Sequence, residues 1–152
     1  MVVEIPSGKL CRQLVRNRLY DISCDTPDCL VCPSNRRGDC TRAGAIYEIR
    51  CLACGAEYIG EIGRPLRTRI EEYLERLRKS RTQTPLGMHR ILCHGGNDFT
   101  ISVAISALET ETTARKALEA CWIAARDPQI NRKEECATVT RDLAPFLDLC
   151  KF

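Results

Sequence analysis

Ala45-Ile46-Tyr47-Glu48-Ile49-Arg50-Cys51-Leu52-Ala53-Cys54-Gly55-Ala56-Glu57-Tyr58-Ile59-Gly60 reads as two short strands joined by a metal-binding knuckle. Tyr47 and Tyr58 stand eleven residues apart on either side of Cys51 and Cys54, so each strand carries a phenol that ends beside the other across the hairpin. Residues 64–80 follow with helical periodicity: Leu66, Ile70, Tyr73, Leu74 and Leu77 form one stripe, and Pro65 suits a first turn. A second helix is expected over 85–93, ended by Gly95-Gly96-Asn97-Asp98. Phe99 to Ser106 alternate as a strand, and Thr110 or Thr112 is placed to cap a helix that runs to about Ala125 and stops at Asp127-Pro128. The order β-β-α-α-β-α predicts an α+β fold with a small three-stranded antiparallel sheet flanked by helices.

Outside this block the pattern weakens. Residues 1–23 show weak helical periodicity with Arg12, Arg16 and Arg18 interleaved, which suggests a short basic helix. Residues 24–42 are rich in Cys, Pro, Asp, Gly and Arg, with almost no apolar pattern, and need metal to become ordered. We therefore divide the chain into a basic helix with a cysteine-rich zinc-binding linker (1–42), a folded domain (43–132) and a tail (133–152) with a helix near 141–150.

The 152 residues hold no apolar run near membrane-spanning length, and the N-terminus has no secretory pattern. A soluble intracellular protein with no membrane partner is expected. The net charge of +3 is mild, but Lys and Arg outnumber Glu from Arg64 to Arg81, a stripe suited to phosphates. Eleven cysteines are the outlier. Their odd number and two Cys-x2-Cys pairs favour zinc over disulfides. The first site is Cys24, Cys29, Cys32 and Cys40, unless Cys11 replaces Cys40. The second joins Cys51 and Cys54 to the chain's two histidines, His89 and His94, with Cys93 as an alternative ligand. Four protein ligands leave no open position, so both roles would be structural. Cys121 lies on a stripe with Leu118, Trp122 and Ala125 and reads as a buried small hydrophobe.

Hydrolysis of a phosphodiester needs an activated water, a group that stabilises phosphoryl charge, and help for the leaving oxygen. Arg69 and Tyr73 share a helix face. If that face looks at the hairpin, a guanidinium and three phenols converge. Glu119 is the best carboxylate for a divalent cation, and Asn131 a polar brace. Plainer readings pair Arg69 with Glu72 or Glu75, and Glu119 with Arg115 one turn earlier.

These residues resemble the GIY-YIG endonucleases over about residues 43–132. Ala45-Ile46-Tyr47 stands for the first motif, with alanine for its first glycine, and Tyr58-Ile59-Gly60 is the second unaltered. The helix arginine matches Arg69, the residue four later matches Tyr73 (often histidine in the family), the glutamate matches Glu119 and the asparagine Asn131. A narrower resemblance is to the endonuclease domain of Penelope-like retroelements. Those carry a cysteine pair between the tyrosine motifs, two downstream histidines and a cysteine-rich linker. The resemblance implies a GIY-YIG fold and a nuclear, DNA-nicking enzyme with Mg2+ or Mn2+ held by Glu119. Tyr47 would be the general base, Tyr58 and Tyr73 would position phosphate or water, Arg69 would stabilise charge and Asn131 would support the site. A reverse transcriptase in a parent polyprotein is an implied partner. The alternatives are a zinc-stabilised nucleic-acid-binding module with a vestigial site, and a host structure-specific repair nuclease.

Overall fold

Alternation of side chains makes Ala45–Cys51 a strand (β1) and Glu57–Ile62 its antiparallel partner (β2). Between them Gly55, at φ +78°, lets the chain turn tightly, and its N–H bonds to the Cys51 carbonyl at 2.8 Å. Helix α1 spans Leu66–Arg78 and α2 spans Pro85–His94, with the Thr84 side chain accepting the Gly87 N–H at the start of α2. Strand β3 covers Ile101–Leu108, and α3 covers Thr112–Arg126. The cap of α3 is Glu111, which accepts the Ala114 N–H, and neither Thr110 nor Thr112 fills that place. The computed structural model describes residues 24–35, 38–79 and 82–132. The helices expected within 1–23 and near 141–150 lie outside the described residues, as do Cys11, Cys136 and Cys150.

The sheet is antiparallel with strand order β2-β1-β3, and the expected α+β class is observed. Both faces of β1 are covered. Ala45, Tyr47 and Ile49 enter one core with Leu66, Ile70 and Tyr73 of α1, Leu86 of α2, and Ile101 and Val103 of β3. Ile46 and Ile59 enter a second core with Cys121 and Trp122 of α3, backed by Leu118 and Ala125. A register shift between Ile46 and Tyr47 pairs them with Ala107 and Ile105, leaving Ser106 as the extra residue of a bulge. Strict alternation therefore holds only as far as Ile105. Past the bulge Ala107 faces the second core.

The cysteine-rich segment joins the first core. Val31 and Cys40 are fully buried there, although the segment carries almost no apolar pattern. Asn35 ties it to the free edge of β3, donating to the Val103 carbonyl and accepting the Ile105 N–H, each at 2.8 Å. The Arg42 carbonyl accepts the first N–H of α1, from Leu66. Ala45 lies in extended backbone paired on both sides, so alanine fits it without strain. The glycine-requiring position is Gly44, at φ +71°, where an added Cβ would come within 2.5 Å of the Glu109 carbonyl oxygen.

Candidate active site and metal centres

The antiparallel register sets Tyr47 opposite Gly60 and Tyr58 opposite Ile49, so the two phenols are diagonal neighbours with ring centroids 6.4 Å apart. Tyr73 reaches them from α1. Its hydroxyl lies 3.0 Å from that of Tyr58 and 3.4 Å from that of Tyr47. Arg69, one turn earlier, holds its guanidinium carbon 5.7 Å from the Tyr73 ring centre. The helix face does look at the hairpin, and the three phenols and the guanidinium meet.

Arg69 does pair with Glu72, at 3.3 Å, but Glu72 is also bound by Arg64 at 2.8 Å. The Arg69 Nε is buried and has no hydrogen-bond partner among the described residues. A buried donor left in that state is costly until an acceptor arrives. Burial, reinforced by Tyr73 and Tyr58, pushes the Tyr47 phenol well above its ordinary range. Tyr58 is raised by burial and then by Tyr73, with the Glu119 charge adding to the effect. Both are neutral phenols at pH 7, able to donate hydrogen bonds.

Gly60 makes this packing possible. A Cβ there would lie 2.7 Å from the Tyr47 hydroxyl oxygen and 2.9 Å from Tyr58 Cε1. The tyrosine two residues before Gly60 and the tyrosine opposite it share the space that its missing side chain leaves. Gly60→Ala is expected to lower stability by about 1–3 kcal/mol, the usual range for overpacking. Urea unfolding followed by tyrosine fluorescence would read it, and an unchanged midpoint would show that the phenols shift at no cost.

The outer edge of β2 gathers the remaining residues. The Glu57 carbonyl accepts the Ile130 N–H, and its own N–H goes to the Gln129 side chain. Asn131 donates to the Ile59 carbonyl at 2.7 Å and accepts the Ile59 N–H at 2.8 Å. Its amide is thus engaged in fixing the backbone next to Tyr58. Glu119, from α3, lies near the Glu61 backbone further along this edge. Burial, then the neighbouring Glu61 carboxylate, raises the Glu119 carboxyl to about 7. Arg115 does not pair with Glu119. Its Nε donates to Glu61 at 2.5 Å, and its Nη1 to the carbonyls of Glu109 and Thr110.

Two groups among the described residues could hold a metal ion. The Sγ atoms of Cys51 and Cys54, on the hairpin knuckle, and the side-chain nitrogens of His89 and His94, on α2, all lie within 4.8 Å of one another. Cys51 Sγ is 3.4 Å from His94 Nε2, Cys54 Sγ 3.5 Å from His89 Nε2, and the two Nε2 atoms are 3.2 Å apart. A tetrahedron built on ordinary zinc–sulfur and zinc–nitrogen bonds has edges of about 3.3 Å between nitrogens and about 3.6 Å between nitrogen and sulfur. The donors therefore already stand at the corners such an ion requires. Phe99 orients both rings, stacked on His94 with centroids 4.9 Å apart and edge-on to His89 at 5.4 Å. Cys93 is exposed and outside the group.

Cys24, Cys29, Cys32 and Cys40 form the second such group, their sulfur atoms also within 4.8 Å of one another. Hydrogen bonding from the Thr26 backbone brings the Cys24 thiol down to about 6, while burial pushes Cys29 and Cys40 up. One thiolate at this spot raises its neighbours, a conflict that a divalent cation removes by binding all four.

Sequence reasoning missed Phe99, Asn35, Glu61, Gly63 and the partner of Arg115. No family model, curated protein or solved structure matches the chain.

Proposed function

We propose that this chain is a metal-dependent DNA endonuclease of the GIY-YIG kind, with the fold of that family, derived from or excised from a Penelope-like retroelement. The observation that carries the reading is the meeting of Tyr47, Tyr58, Tyr73 and the partnerless Nε of Arg69 beside the edge strand that Glu119 reaches. Nothing in packing alone calls for three phenols around a guanidinium.

The residues fit a divalent cation at Glu119. Its carboxyl is partly buried, raised by a like charge, not taken up by Arg115, and close enough to Tyr58 for its charge to act on that phenol. Mg2+ or Mn2+ there would neutralise phosphoryl charge. Arg69 would meet a phosphate oxygen through its free donor, stabilising charge as it develops. Tyr58 and Tyr73 would orient the phosphate or the attacking water. Tyr47 would accept the proton of that water, and because burial holds its phenol protonated, this role needs the positive charge of Arg69 and the cation. Asn131 would keep Tyr58 in place through the Ile59 backbone. No helix among the described residues is long and apolar enough to cross a membrane, and a DNA substrate implies action in the nucleus, on target sites cut for a reverse transcriptase.

The test is conversion of supercoiled plasmid to open circles with Mg2+, Mn2+ or EDTA, beside Glu119→Ala. We expect nicking that needs both the cation and Glu119. A folded Glu119→Ala variant that still nicks would sink the assignment. Absence of nicking by zinc-loaded protein that binds DNA would favour the binding module with a vestigial site, and would point to Tyr73 as the disabling residue.

A further inference from the structure

Arg115 is the most deeply buried charged residue among the described ones, at 5 % exposure. It sits in the first turn of α3, where the helix dipole disfavours a cation. Burying a guanidinium is expensive unless every donor is matched. The chain supplies the matches from three separate places: the Glu61 carboxylate at the end of β2, and the carbonyls of Glu109 and Thr110 before α3. It also clears the space. A Cβ on Gly63 would lie 2.9 Å from Arg115 Nη2.

What all this secures is Glu61. Arg115 and Glu119 lie one turn apart on α3, so the Glu61 carboxylate that Arg115 holds stands near Glu119, and its charge raises the Glu119 carboxyl. Two neighbouring carboxylates repel until a cation lies between them, and a free Glu61 would swing toward any cation at Glu119 and join it as a second ligand. We propose that Arg115 is a positioning residue for the Glu119 site: by holding the Glu61 carboxylate in an ion pair, it leaves Glu119 to meet a cation without Glu61 as a second ligand. The inference rests on the reading of Glu119 as a cation ligand. It assigns Arg115, Glu61 and Gly63 to that site, although none of them touches the reacting atoms.

The zinc-loaded full chain is titrated with Mn2+ without DNA, following free Mn2+ by electron paramagnetic resonance, and the signal lost in Glu119→Ala defines the site. Thermal unfolding and plasmid nicking are measured in parallel. Arg115→Gln should tighten Glu119-dependent Mn2+ binding about tenfold or more, because it frees a second carboxylate and removes a nearby cation, and a one-unit change in differential interaction is tenfold. Glu61→Gln alone should alter it by less than about threefold, and the Glu61→Gln/Arg115→Gln double variant should return to within about threefold of wild type. A double variant that binds as tightly as Arg115→Gln, or a folded Arg115→Gln that binds Mn2+ as wild type does, overturns the proposal. If Arg115→Gln fails to fold, Arg115→Lys replaces it with the same expectations, because lysine keeps the charge but loses the fork that reaches Glu61 and both carbonyls. If wild type shows no Glu119-dependent binding, the cation-site reading fails and this inference with it. Wild-type binding that Arg115 does not influence removes the inference alone.

Discussion

Stripping metal from the purified protein is expected to abolish its cooperative unfolding transition altogether. Structural zinc contributes about 10–16 kcal/mol in small zinc-finger peptides, as much as the whole stability of an ordinary domain at about 5–15 kcal/mol. Here the ligands are not on a detachable appendage. Cys40 and Cys51 are fully buried, and His89 is 7 % exposed. Cys40 shares a core with Tyr47 and Tyr73, and Cys51 ends the central strand. Without an ion, the four donors that join the hairpin knuckle to α2 lose their common partner. Metal analysis should find two zinc ions per chain, one for each ligand group, and Cys54→Ser or Cys32→Ser should each leave one. Excess chelator should erase the near-ultraviolet dichroism of the tyrosines and the sigmoidal urea curve together. Persistence of both in metal-free protein would mean that the ligand groups are packed thiols and imidazoles with no structural ion.

The parts of this molecule that were legible in its sequence are those fixed by neighbours along the chain. The hairpin follows from alternation about a Cys-x2-Cys-Gly turn, and α1 from a stripe at helical spacing. Both ligand groups follow from spacing as well, because a chelate needs its cysteines two residues apart whatever surrounds them. Arg69 and Tyr73 could be paired because one turn of helix separates them. What stayed hidden depends on distant contacts. Arg115 could be seen beside Glu119 in sequence, yet its guanidinium goes to Glu61, 54 residues away. Val31 is one apolar residue in a polar stretch, and only the fold shows it closing the core. The bulge at Ser106 leaves no mark on composition, Asn35 looks like a loop residue until it is found clamping β3, and Asn131, expected as a polar brace, gave no sign that it holds the Ile59 backbone. Gly60 stood in the Tyr58-Ile59-Gly60 motif without showing that two phenols share its space, and Gly63 carried only the weak signal of a second glycine at the end of a strand.

Under the endonuclease reading, Arg69→Lys is expected to slow cleavage at saturating DNA by about a hundredfold or more, the range seen when one preorganised donor to a developing oxyanion is lost. The substitution keeps the charge, so loss of simple attraction does not explain it. Arginine offers a planar fork of donors, of which one edge meets Glu72 while the buried Nε stays free; lysine offers a single mobile ammonium that Glu72 can capture whole. Glu72 is itself held low by the Arg64 hydrogen bond and remains ionised at any working pH, so the competition is permanent. Binding should suffer far less. Ground-state affinity comes from many screened phosphate contacts, and one retained charge keeps the salt dependence of binding near its wild-type slope. Single-turnover kinetics across a range of protein concentrations separates the two terms. A reduced maximal rate with an unchanged midpoint is the result expected of a group acting on the transition state. A wild-type maximal rate with a raised midpoint would make Arg69 a phosphate anchor, and the chemistry would then rest on the phenols and Glu119.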